Sequence, residues 1–166
     1  MPESSNQNFN HLKIHSQYSI CEGAIKIDDL QDFSKSNKIR SLALCDTSNL
    51  CGALEFAEKI SKVGTQPIIG SQINFKYGDC IALLPLFALN EEGYKRIIKL
   101  SSTSYLENDE LSDPHVDFND LLDDNTGVAV FSGTIFGLFG ELFNKGKFSE
   151  ISELYNKLKL NFGDRF

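Results

Sequence analysis

Between residues 27 and 72 the chain changes its apolar period repeatedly, and that alternation constrains the fold more than any other feature. Ser41-Leu-Ala-Leu-Cys45 is an apolar run too short for a helix and without polar alternation, as in a parallel strand buried on both faces. Before it, Ile27, Leu30 and Phe33 recur at helical spacing behind Asp28-Asp29, a pair of carboxylates suited to the exposed amides of a first turn. After it, Leu50, Ala53, Leu54, Ala57 and Ile60 share one helical face through Val63, with Gly64 placed as a left-handed C-cap. Phe9 to Ile14 alternates towards a short strand ending at His15, and Pro67-Ile-Ile-Gly70 opens another. Strands and helices in this order predict βα units, whose crossovers build a parallel sheet or barrel of the α/β class.

Beyond Gln72 the pattern becomes mixed. Ile73 to Tyr77 alternates, Gly78-Asp79 offers turn chemistry and Cys80 to Leu84 returns, which predicts a hairpin. Asn90 caps a helix through Leu100, and the Ser-, Asp- and Asn-rich stretch from 101 to 125 reads as a loop with one small helix at Phe118, Leu121 and Leu122. Gly127 to Ser132 predicts a buried strand, Ile135 to Phe143 and Ser149 to Leu160 two helices, and Arg165-Phe166 the start of a further strand. Residues 1 to 8 are polar and expected to be flexible, leaving 9–166 as one folded unit.

A formal charge of -7 argues against a surface that holds nucleic acid through its phosphates, so direct DNA binding is not expected. Cys21, Cys45, Cys51 and Cys80 form no CxxC pair and read as reduced cytosolic thiols, three of them in or beside apolar runs. The first residues lack a basic start and an apolar core, and no apolar run approaches the ~18 residues needed to span a bilayer. A cytoplasmic protein without membrane contact is expected.

The ordered set Tyr18-Ser19, Glu22-Gly23-Ala24, Asn49-Leu50-x-Gly52-Ala53-x-Glu55-Phe56 and Pro67-Ile-Ile-Gly70, joined by Asn90-Glu-Glu-Gly-Tyr94-Lys and Phe162-Gly-Asp-Arg-Phe166, resembles the polymerase and histidinol phosphatase (PHP) domain family. The resemblance is to the branch at the N-terminus of bacterial replicative DNA polymerase III alpha subunits. It implies a distorted (βα) barrel, incomplete here because the chain ends part-way through the domain, with an open edge prone to self-association.

Active members of that family hold up to three metal ions among His, Asp and Glu side chains at strand C-terminal ends and hydrolyse phosphoester bonds. At the family's His-x-His pair this chain has Lys13 and His15, and an ammonium at the first position repels a divalent ion or takes its place. The family's aspartate is Glu22, its ligating histidine is Thr47 beside a surviving Asp46, and its Gly-x-Glu carboxylate is Gln72. Of five expected ligand positions only His15 and Glu22 retain ligand chemistry. Against a ligand role, His15 reads first as a hydrogen-bonded strand-end histidine. Asp46 reads as an acceptor for amides at the following helix start or as a partner of Lys13, and Glu22 pairs with Lys13 equally well. His11 matches a family position that is usually not a ligand, and His115 lies in the acidic loop with no companion.

The resemblance therefore implies a catalytically silent scaffold whose partners are the rest of a polymerase alpha subunit and a proofreading exonuclease subunit. No cofactor is expected in these residues; Mg serves the polymerase domain of the parent protein. The alternative is a metal-dependent phosphoesterase, a 3′-5′ exonuclease or pyrophosphatase, using Zn or Mn. A free-standing hydrolase of the histidinol-phosphatase kind fits the motif context less well.

Overall fold

The computed structural model describes residues 9–108 and 112–166, so the flexibility expected of residues 1–8 lies outside the described residues. The elements run α1 (Ile27–Asn37), β1 (Ser41–Thr47), α2 (Ala53–Lys62), β2 (Gln66–Tyr77), β3 (Cys80–Ala88), α3 (Glu91–Leu106), β4 (Val116–Asp117), α4 (Phe118–Asp123), β5 (Val128–Val130), α5 (Leu138–Asn144) and α6 (Phe148–Phe162). The sheet is ordered β1-β2-β3-β5, with β4 pairing a distal stretch of β2. β1 and β2 are parallel, joined through α2, whereas β3 is antiparallel to both β2 and β5. The α/β class stands, in a mixed sheet that does not close, as expected of an incomplete barrel.

The expected hairpin at Gly78-Asp79 is present, and β2 is one continuous strand whose first half pairs with β1 and whose second half pairs with β4. Burial follows from that. Strand β1 is inaccessible from Leu42 to Asp46: α1 and α2 cover the face of Leu42 and Leu44, and Ala43 and Cys45 on the other face pack with Phe87, Ala129 and Leu12. The largest apolar cluster joins β2 and β3 to α3, α5 and α6 through Phe75, Leu84, Leu86, Ile97, Leu142 and Leu158. A second holds α1 and α2 against β1 through Ile27, Leu30, Leu42, Phe56 and Ile60.

Several expectations are corrected. On α1 the buried face carries Ser34 rather than Phe33, and on α2 Phe56 is fully buried while Leu54 is 71% exposed. Ile27, Leu30, Ala53 and Ile60 are buried as expected, and only the flank of each stripe differs, since apolar residues on adjacent faces do not say where the buried stripe ends. Gly64 is left-handed as expected (φ +80°). Helix α3 is capped by Asn90 Oδ1, which accepts from Gly93 N at 2.9 Å, but it runs six residues beyond Leu100. There Ser104 Oγ donates to Ser101 O at 2.7 Å, so a hydroxyl of the kind that signals a loop is satisfied inside the helix. The short β4 was not anticipated. Helix α5 starts at Leu138 rather than Ile135, and Gly163–Arg165 forms a 3-10 turn instead of a strand. The Arg165 guanidinium donates to Asn125 Oδ1 at 2.6 Å and Val128 O at 2.8 Å, fixing that turn beside β5.

Candidate functional site

The segment 9–15 is extended beside β1 but is not a regular strand. Ala43 N donates to His11 O at 3.0 Å and Cys45 N to Ile14 O at 2.8 Å, so three steps on one side match two on the other. This bulge-like mismatch breaks the two-residue alternation on which the Lys13/His15 reading rested. Both side chains nevertheless line the same cavity. His15 therefore sits in an irregular segment rather than at a strand end. Its Nδ1 is buried without a hydrogen-bond partner among the described residues.

Residues 16–25 fold back in a tight loop. Glu22 N and Gly23 N donate to Ser19 O at 3.0 and 2.9 Å, and Gln17 N donates to Ile25 O at 2.9 Å. Gly23 is required there because a Cβ would lie 2.0 Å from Ser16 O. Asp46 organises this loop from the end of β1. It is 1% exposed and accepts from Ser16 N at 2.6 Å, Ser16 Oγ at 2.8 Å and Ser19 Oγ at 2.7 Å. Its partners are thus in the preceding loop, and neither the following helix start nor Lys13 is among them. Three donors on one buried carboxylate supply the hydrogen bonds that an inaccessible charge demands.

The three remaining positions meet one another. Thr47 and Gln72 are cross-strand partners on β1 and β2. Gln72 Nε2 donates to Thr47 Oγ1 at 2.7 Å, and the Thr47 hydroxyl in turn donates to the Glu22 carboxylate. A longer contact of 3.5 Å links Gln72 Nε2 to the same Glu22 oxygen. Thr47 N also donates to Ser19 Oγ at 3.0 Å, so the Asp46 hub and this triad share the serine. Glu22 accordingly faces Thr47 and Gln72, and no ion pair joins it to Lys13 among the described residues. Two residues that deliver the triad, Cys21 and Ser48, have left-handed backbones at φ +66° and +56°. Non-glycine residues there mark a loop geometry imposed by its surroundings.

Lys13, His15, Glu22 and Gln72 open on a cavity of about 360 Å³ whose other wall comes from far along the chain. Leu83 and Pro85 of β3 contribute, with Gly133, Thr134, Phe136 and Gly137 of the loop after β5. Gly137 pairs with Leu83 in an isolated parallel bridge, and a Cβ there would meet Leu83 O at 3.0 Å. The loop therefore lies close over β3. These wall residues carry no ligand-type side chains, and only the closely spaced glycines in Ser132-Gly-Thr-Ile-Phe-Gly137 could have drawn attention to them. Burial pushes the Cys45 thiol beneath this region up to about 12, against the opposing pull of the Lys13 charge. All four cysteines are free, Cys45 and Cys80 buried and Cys21 and Cys51 exposed. His11 lies outside the cavity, edge-on to Phe9 at 4.9 Å, and His115 Nδ1 lies 2.7 Å from Asp113 O. Among the described residues no three His, Cys, Asp or Glu side chains are grouped to hold a metal ion, and no helix is long and apolar enough to cross a membrane.

The sequence profile of the PHP domain matches residues 11–166. A DNA polymerase III subunit alpha from Rickettsia felis is 36% identical over 95% of this chain, and one from Caulobacter vibrioides is 35% identical over all of it. The chain spans 13% and 15% of the length of these relatives. Among solved structures, an amidohydrolase from Chromobacterium violaceum covers 57% of the chain at 18% identity with a TM-score of 0.47, and the chain covers 32% of it.

Proposed function

Because the chain belongs to the PHP domain family, we propose that it is a catalytically silent PHP scaffold of a cytoplasmic replicative polymerase alpha subunit. The hydrogen-bonded triad of Glu22, Thr47 and Gln72 carries this reading. In an active relative the equivalent positions spend their lone pairs on metal ions; here the Gln72 amide N–H donates to the Thr47 hydroxyl, which in turn donates to the Glu22 carboxylate. The residues present do not fit a divalent ion. Both oxygens of Asp46 are occupied by Ser16 and Ser19, the Lys13 ammonium faces the cavity, and His15 is left as one imidazole beside one engaged carboxylate.

In this reading the domain contributes packing and surface to the larger polymerase, and the proofreading exonuclease subunit docks on it. Bulky apolar side chains left exposed on outer elements support a protein partner: Phe143 and Phe148, in edge-to-face contact at 5.5 Å, are 61% and 60% exposed, and Leu160 is 86% exposed. The acidic balance of the chain supports protein rather than DNA as that partner. Co-purification of the exonuclease subunit with the alpha subunit, compared with a Phe143→Ser, Phe148→Ser variant, tests the docking. Retained complex at unchanged affinity contradicts that surface.

The alternative phosphoesterase reading draws on the ligand chemistry retained at His15 and Glu22. A 3′-5′ exonuclease or pyrophosphatase assay in Mn or Zn, with His15→Ala as control, separates it from the silent reading.

A further inference from the structure

We propose that the aromatic rings exposed on α5, α6 and the end of β5 form a twofold interface between two copies of the free chain. The inference goes beyond the docking reading, since it concerns the chain before any other subunit binds. The rings make one surface. Phe139 stacks on Phe166 at 6.2 Å, Phe166 meets Tyr155 at 5.7 Å and Phe143 meets Phe148 at 5.5 Å. Phe148 and Tyr155 lie two turns apart on one side of α6, and Phe139 and Phe143 one turn apart on α5. Phe131, directly after β5, lines a groove with Tyr155 and Phe166.

An open sheet is expected to associate through its edge strands, and here both edges are blunted. The segment 9–15 bonds to β1 at Ala43 and Cys45, and the Arg165 guanidinium occupies Val128 O on β5. The uncovered surface is aromatic instead. Phe131, Phe136, Phe143, Phe148 and Tyr155 are 39% to 79% exposed, and at ~200 Å² for a whole ring they present about 600 Å² between them. An interface of standard size buries about 800 Å² on each partner, somewhat over half of it apolar, so this face matches what one stable contact needs. Charge favours a second copy here and opposes it elsewhere. Residues 131–166 carry five Lys or Arg against four Asp or Glu, whereas 107–124 carry eight Asp or Glu and no Lys or Arg. Contact through the rings brings together two nearly neutral surfaces, where contact through the acidic stretch sets like charges against each other. A twofold axis places each ring against the same set on the partner, which suits edge-to-face and offset stacking.

Sedimentation equilibrium of the chain from about 1 μM to about 1 mM, the span of weak protein contacts, tests the inference. Reductant keeps the exposed Cys21 and Cys51 as thiols, so that a dimer cannot be a disulfide. A reversible equilibrium between monomer and dimer is expected. Tyr155→Ser and Phe143→Ser are each expected to weaken it about 10-fold or more, as truncation of an aromatic anchor does. Leu106→Ser, at an apolar residue of α3 that is 81% exposed and outside the rings, is expected to leave it within about 2-fold. Monomer at every concentration, a dimer indifferent to both ring variants, or assembly that keeps growing past the dimer overturns the inference. Excess exonuclease subunit is expected to convert the dimer into a one-to-one complex, because both partners use Phe143 and Phe148. A dimer carried intact into that complex overturns the docking reading and supports the twofold contact. The three substituted residues are exposed, so each variant is expected to keep the native far-UV spectrum.

Discussion

Gln72 Nε2 lies 2.7 Å from Thr47 Oγ1, joining two residues that are cross-strand partners on β1 and β2 at positions where the family places metal ligands. The amide and the hydroxyl complete each other and together hold the Glu22 carboxylate. Removing the hydroxyl alone exposes the dependence. Thr47→Val leaves the buried Gln72 amide and the Glu22 oxygen without this partner and is expected to cost about 1–2 kcal/mol in a urea unfolding curve, with the slope unchanged.

Gln72→Glu reverses the chemistry at the same place. A second carboxylate beside Glu22 at a buried position is expected to destabilise the chain by about 1–3 kcal/mol without metal. Mn or Zn is expected to raise the melting temperature of this variant and not that of the native protein. A native protein that responds equally contradicts the account.

Asp46 is the acceptor for three donors in the loop that carries Glu22. Asp46→Ala strands those donors inside the protein and is expected to cost about 3 kcal/mol or more, a large share of a domain's net stability. Amide exchange in residues 16–23 is expected to accelerate together with the global loss.

Ser48 occupies left-handed backbone at φ +56° while its N–H donates to Gln72 O at 2.8 Å. Glycine accepts that geometry and a β-branched residue resists it. Ser48→Gly is expected to stay within about 1 kcal/mol of the native stability and Ser48→Val to lose about 2 kcal/mol, both read from thermal melts.

Acid titration reads a network away from the cavity. Lys59 and Tyr18 hydrogen-bond Glu55 and hold its carboxyl below the ordinary value of 4.5. A carboxylate with a depressed folded-state pKa stabilises the fold above its unfolded value and loses that contribution as pH falls through the folded one. Stability is therefore expected to decline below pH 4.5, with a shallower decline in Glu55→Gln, measured by denaturation at stepped pH.

The βα order from Ile27 to Gly70 was legible because the change from helical to strand period is strong there. The edge of each buried stripe was not, as Phe33 and Leu54 show: both are apolar and both face solvent, while Ile27, Leu30, Ala53 and Ile60 are buried. The polar stretch after Leu100 hid the last turns of α3, where Ser104 bonds back within the helix and the Ser101 hydroxyl donates to Ser48 O, and β4 has only two residues to signal it. At the site, the motif spacing identified Lys13, His15, Glu22, Thr47 and Gln72, and the structure gathers them around one end of β1 and β2. Their mutual hydrogen bonds were not legible, since cross-strand register sets them. The far wall at Gly133, Thr134 and Gly137 was hidden for a similar reason: backbone approach to Leu83, rather than any reactive side chain, brings it there.

The most direct test of the central claim is a calorimetric titration of Mn and of Zn into the metal-stripped protein, with bound metal quantified by mass spectrometry and His15→Ala as the control. The account predicts no stoichiometric binding and no difference between the two proteins. Tight, stoichiometric binding lost in His15→Ala contradicts it and returns the cavity to a metal-dependent hydrolase.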